Sequence, residues 1–146
     1  MDNKLPLISP EIRARLEVAR IARLATQDED GKPHVVPICF VWDGEVFYSA
    51  IDRKPKRVAP SRLTRLENIK KTPHVALLID HYDEDWTRLW YIFVHGEAAL
   101  VSAPAEHARA IQHLRAKYPQ YDAKMLADDA PVLRVTPGRI SAWGAI

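Results

Sequence analysis

The residues of this 146-residue chain best suited to chemistry crowd into one segment: Arg53, Lys54, Lys56, Arg57, Arg62 and Arg65, with Asp52 the one acid among them. Ser49 stands just ahead of them. A strand ending at Ser49-Ala50 that runs through this loop into a helix would offer one phosphate a hydroxyl, ammonium and guanidinium groups, and helix N-terminal amides. That is an anion cradle built without glycine. A solvated basic loop has the same composition, and charge alone does not separate the two. Glycine-built phosphate loops are excluded, since the chain holds 5 Gly against 11 Pro and carries neither G-x-G-x-x-G nor G-x-x-x-x-G-K-[ST]. His81-Tyr82-Asp83-Glu84-Asp85, with Asp80, carries metal-capable groups, but its spacing fits neither an EF-hand loop nor H-E-x-x-H. G-x-S-x-G is absent, so a serine hydrolase has no support. The remaining histidines, His34, His74, His95, His107 and His113, share no pattern.

The elements that must position these groups are short. Ser9-Pro10-Glu11 reads as a helix start, with Ser at the N-cap and Pro at the first helical position. Ile21 to Thr26, Pro33 to Trp42 and Glu45 to Ala50 read as strands, and the turn signals Asp30-Gly31 and Asp43-Gly44 between them predict a three-strand antiparallel meander. Leu63, Leu66 and Ile69 share one face of a short helix ending near Lys71 at Thr72-Pro73. His74 to Asp80 is a further strand, as are Leu89 to Val94 and Glu97 to Ser102 around Gly96. Pro104 opens a helix running to about Lys117, and Val132 to Thr136 and Arg139 to Trp143 are final strands about Pro137-Gly138. Six or seven strands with helices inserted between groups argue for a mainly β, α+β fold rather than a doubly wound parallel sheet. A small antiparallel barrel also removes exposed edges.

Composition narrows the function classes. One domain spanning residues 1–146 is expected, because the chain is too short for two ordinary cores. A net charge of +2 gives no bulk attraction for nucleic acid, and no run approaches the roughly 20 apolar residues of a membrane span. Cys39 is the lone cysteine, set in the apolar run Val35 to Val41, so a core role and a reducing, cytoplasmic setting are expected. The first residues lack the basic start and apolar stretch of a signal peptide. Most of the Trp and Tyr side chains suit a core or an interface. Trp143, beside Arg139 near the C-terminus, suits docking against a partner subunit.

Several runs resemble the flavin and deazaflavin oxidoreductases related to pyridoxamine 5'-phosphate oxidase. They are Asp52-x-Lys54-Pro55-Lys56, Arg65-Leu66-x-Asn68-Ile69, Pro73-x-Val75 through Trp86, Lys117-Tyr118-Pro119-Gln120-Tyr121, and Pro137-x-Arg139-Ile140-x-x-Trp143. The pattern is most similar to the subgroup assigned to coenzyme F420-dependent enzymes. The resemblance implies an antiparallel Greek-key split β-barrel, an FMN-binding type of fold, that forms a homodimer with cofactor clefts at the interface. It implies that Ser49, Arg53, Lys54, Lys56 and Arg57 hold the cofactor phosphate. It further implies that Val36, Pro37 and Ile38 lie along the ring, and that Arg139 and Trp143 reach in from the second subunit. Coenzyme F420 is the expected cofactor, with FMN the alternative and a small organic molecule as substrate. A non-catalytic flavin or tetrapyrrole carrier is the reading from another class. The Arg-Pro tail by which true pyridoxamine phosphate oxidases grip their substrate has no counterpart after Trp143, where Gly144-Ala145-Ile146 follow. No acid or base side chain stands out, so the reaction would be hydride transfer with the protein supplying position and electrostatics.

Overall fold

A computed structural model describes residues 8–54 and 63–146. Its elements run α1 (Pro10–Val18), β1 (Ala22–Gln27), β2 (Pro33–Ile38), β3 (Val41–Trp42), β4 (Phe47–Ala50), α2 (Thr64–Lys71), β5 (His74–His81), β6 (Trp90–Leu100), α3 (Pro104–Lys117) and β7 (Val132–Gly144). The helix starts expected at Ser9-Pro10 and Pro104 are present. Ser9 Oγ accepts the Ile12 N–H at 3.2 Å, satisfying one of the amides that a first helical turn leaves without an intrahelical partner.

The seven strands form one antiparallel sheet in the order β2-β1-β5-β6-β7-β4-β3. The edge strands β2 and β3 are separated in the chain by Cys39 and Phe40 alone. The three Cα–Cα steps from Ile38 to Val41 span no more than about 11 Å, so the two edges lie close together and the sheet curls into a barrel. The expected meander is therefore corrected. Asp43-Gly44 does turn β3 into β4, but β4 pairs with β7, and the run Pro33 to Trp42 breaks into two strands at opposite edges.

Tyr118 is what makes that break tolerable. Its hydroxyl accepts the Phe40 N–H at 2.9 Å and lies 2.9 Å from the Phe40 carbonyl and 2.8 Å from the Arg20 carbonyl, either of which can accept its proton. Buried backbone groups that have left the sheet ladder thus find a side-chain partner. Tyr118→Phe strands the Phe40 N–H and should cost about 2 kcal/mol. Urea denaturation with an unchanged slope is the check, and an unchanged midpoint would show that the bond contributes nothing.

The core divides at the sheet. Leu24, Phe40, Phe47, Leu77, Ile79, Ile92 and Val94 fill the barrel, joined by Leu16 of α1 and Leu66 and Ile69 of α2. On the other side, Ala110, Ile111 and Leu114 of α3 pack on Val41, Tyr48, Ala50 and Val132. β4 is consequently buried on both faces, which explains why Phe47-Tyr48-Ser49-Ala50 shows no alternation of burial. The expected interruptions at Gly96 and Pro137-Gly138 prove to be one feature inside two long strands: the β6–β7 register shifts between His95 and Gly96. A Cβ at Gly96 would stand 2.5 Å from the Thr136 carbonyl oxygen, so only glycine lets the strands approach there.

Candidate functional site

A cavity of about 260 Å³ opens where the barrel edges meet. One wall is the end of β2, Pro37 and Ile38, continuing into Cys39; the other is Ser49 and Ala50 of β4. Asp52 and Lys54 beyond β4, and Arg65 in the first turn of α2, complete it. Ser49, Lys54, Pro37 and Ile38, four of the residues expected at a cofactor site, thus line one cavity. Val36 instead turns toward the barrel core. Arg53 is exposed, and its backbone N–H is held by the Met125 carbonyl at 2.8 Å. Lys56 and Arg57 lie outside the described residues.

The carboxylate at the centre of this site had appeared in the sequence as the odd acid in a basic run and as the head of the Asp52-x-Lys54-Pro55-Lys56 run, with no role assigned to it. Asp52 is 7% exposed. It accepts the Tyr121 hydroxyl at 2.7 Å and the Lys54 backbone N–H at 3.1 Å, and it pairs with the Lys54 ammonium. Burial alone would raise its pKa, but the bonds from Lys54 and Tyr121 outweigh burial and hold it at about 2. Tyr121 is pushed up in return, by burial first and then by bonding to Asp52. Burial depresses the Arg65 guanidinium, with Asp52 and Tyr121 opposing that shift. Among the described residues, the site holds the cations Lys54 and Arg65 and the carboxylate of Asp52, and the half-buried Arg65 guanidinium would gain from an incoming anion. Among the described residues, no side chain caps the first turn of α2. Phosphate chemistry fits these donors.

Arg139 and Trp143 stand elsewhere on the protomer. Arg139 pairs with His95 across the β6–β7 bulge and borders a separate open depression with His74 and Thr136. Trp143 is 52% exposed and stacks on the exposed Tyr91 at 5.6 Å. The loop from His81 to Asp85 spends carboxylates on its own turns: Asp83 accepts the Asp85 N–H at 2.8 Å, and Asp85 accepts the Thr87 N–H at 3.0 Å.

Sequence reasoning missed Ile21 and Cys39 as walls of the cavity and Tyr121 as the group that holds Asp52. The signal for Tyr121 was the Tyr-Pro-Gln-Tyr run leaving α3, whose target could not be read from local sequence.

A family model described as pyridoxamine 5'-phosphate oxidase matches residues 8–144. Comparison with curated proteins gives no match. Among solved structures, a conserved hypothetical protein from Mycobacterium tuberculosis superposes with a TM-score of 0.75 at 20% identity, covering 99% of this chain and 89% of that one. The heme storage protein HutZ from Vibrio cholerae superposes with a TM-score of 0.72 at 17% identity, covering 95% of each chain. An F420 reductase superposes with a TM-score of 0.68 at 26% identity, covering 92% of this chain and 98% of the other. By the extent of the family match and the topology of its curled sheet, the chain belongs to the pyridoxamine 5'-phosphate oxidase family and has its split β-barrel fold.

Proposed function

We propose that the protein is an oxidoreductase that binds coenzyme F420 at a homodimer interface and uses it in hydride transfer with a small organic substrate. The observation that carries this reading is the convergence of Ser49, Lys54 and Arg65 beside the apolar wall of Pro37 and Ile38 in one cavity. A phosphate would sit among the hydroxyl and the cations, and the ring would follow the β2 wall. Bound there, the deazaflavin supplies the hydride chemistry. The protein's residues bind and orient: Lys54 is positioned by Asp52, Asp52 by Tyr121, and Arg65 by the α2 scaffold. The basic residues Arg53, Lys56 and Arg57 of the same segment suit the acidic tail that F420 carries and FMN lacks. Likeness to an F420 reductase over nearly the whole of both chains supports the same choice.

The exposed Tyr91–Trp143 stack supports the dimer, because aromatic pairs left in water gain by docking. A two-fold partner would bring its own copies of Arg139 and Trp143 to the cleft. The deciding experiment is titration of the purified protein with F420 and FMN, followed by deazaflavin or flavin fluorescence. F420 should bind at least tenfold more tightly, and Trp143→Ala should shift the protein toward monomer in sedimentation while weakening F420. Binding of neither cofactor at micromolar concentration overturns the proposal; tighter FMN binding replaces F420 with flavin in the same site. A heme-type carrier would instead bind hemin and leave both cofactors untouched.

A further inference from the structure

Beyond the cradle, sharing Ile21, Cys39 and Lys54 with it, lies a larger chamber of about 690 Å³. That volume is in the range of small-molecule sites, roughly 300–1,000 Å³. Its far side is built from Tyr118, Pro119, Gln120, Tyr121 and Met125, where the chain leaves α3, and Arg20 stands at its edge. The two tyrosines form a tilted pair with ring centres 5.3 Å apart. Both hydroxyls are committed elsewhere, Tyr118 to the backbone of Phe40 and Arg20 and Tyr121 to Asp52. What the tyrosines offer the chamber is therefore ring surface, and Ile21, Pro119 and Met125 add more apolar wall.

Arg20 stands at the rim, and Lys117 lies behind it, outside the chamber's lining. Arg20 donates to the Lys117 carbonyl at 2.5 Å, and its guanidinium lies 5.7 Å from the centre of the Tyr118 ring. The Lys117 ammonium lies 3.9 Å from the centre of the Phe40 ring and donates to the Leu16 carbonyl at 3.2 Å. Among the described residues, neither Arg20 nor Lys117 has a carboxylate in salt-bridge range. Burial and the neighbouring Arg20 hold the Lys117 ammonium down to about 8, as expected of two cations with no counter-charge between them.

We infer that this chamber is a second ligand site, for a flat apolar molecule bearing a carboxylate, such as an aromatic or conjugated acid. The ring surfaces and Met125 take the flat body, and Arg20 takes the carboxylate through its planar fork of donors. The walls shared with the cradle place such a ligand against whatever fills the smaller cavity. Identifying it as the cofactor's reaction partner rests on the function proposed above, whereas its binding does not.

The test is calorimetric titration of the full chain with 2-naphthoate and, as the uncharged control, 2-naphthalenemethanol. Naphthoate should bind at least tenfold more tightly than the alcohol. Arg20→Gln should erase that preference and leave the alcohol's affinity as it was. Gln120→Trp, a change in an exposed loop residue that lines only the larger chamber, should weaken both probes at least tenfold without lowering the melting temperature, and it decides the matter if Arg20→Gln fails to fold. Equal affinity for acid and alcohol, or naphthoate binding indifferent to either variant, overturns the proposal. So does a parallel loss of FMN and F420 affinity in Gln120→Trp, because the chamber would then belong to the cofactor. If the naphthoate results hold while neither cofactor binds, the ligand site stands and the oxidoreductase reading falls.

Discussion

Asp52→Ala is expected to lower the stability of the protein by about 3 kcal/mol, among the largest effects of any single substitution near the site. The carboxylate is almost fully buried and joins three segments of chain: the exit of β4, the Lys54 turn, and Tyr121 beyond α3. Removing it takes from the buried Tyr121 hydroxyl the carboxylate it donates to, and from Lys54 and Arg65 the charge that Asp52 supplies. The Lys54 partner is more than half exposed, so solvent screens that share, and most of the loss comes from Tyr121 and Arg65. For a chain of this length the melting temperature should drop by roughly 6–12 °C. The pH dependence follows from the direction of the shift. The folded state holds the Asp52 pKa at about 2, below the ordinary 3.8, so its contribution is fully present above pH 3.8 and is lost as the pH falls toward 2. The gap in unfolding free energy between wild type and Asp52→Ala should therefore narrow by about 2 kcal/mol over that window. A gap equally wide at both ends would show that the ionised carboxylate is not what stabilises the hub.

This hub also marks where the sequence stops being legible. Local signals located the elements well: Ser9-Pro10 and Pro104 start helices, Asp43-Gly44 turns β3 into β4, and the basic run begins at the cavity that Ser49 and Lys54 line. Partners across the fold were hidden. The break at Cys39-Phe40 carries no glycine, proline or polar residue to announce it, because it is satisfied by Tyr118, a hydroxyl 78 residues away. With the break unseen, Pro33 to Trp42 reads as one strand and the three segments as a meander. In the same way the value of Asp52 depends on Tyr121, 69 residues along the chain. Turn chemistry is written in neighbouring residues, whereas a side chain that replaces a ladder bond or buries a carboxylate can come from any distance. The family resemblance filled part of that gap by joining the Asp52 to Lys56 run and the Tyr-Pro-Gln-Tyr run in one pattern. It did not say that the two touch.

The contact between them sets the second large effect. Lys54→Ala combined with Arg65→Ala should weaken binding of the phosphate-bearing cofactor roughly 100-fold, about 3 kcal/mol, since a charge-assisted hydrogen bond contributes about 1.5–3 kcal/mol. Fluorescence titration of F420 and FMN reads this directly, and both should suffer, because the phosphate is common to them. The single variants need not add up. In Lys54→Ala the Tyr121 hydroxyl still donates to Asp52 and keeps it ionised, so a carboxylate now faces the phosphate with one compensating cation fewer. Like charges at such range repel strongly where water is excluded. Adding Asp52→Asn to Lys54→Ala should then recover about tenfold of the lost affinity, even though Asp52→Asn alone weakens the positioning of Lys54. That sign reversal is the expected signature of a carboxylate that acts on the ligand only through the cation it holds. If Asp52→Asn lowers affinity further in the Lys54→Ala background, Asp52 must touch the ligand itself, and the phosphate must be sought outside this cavity.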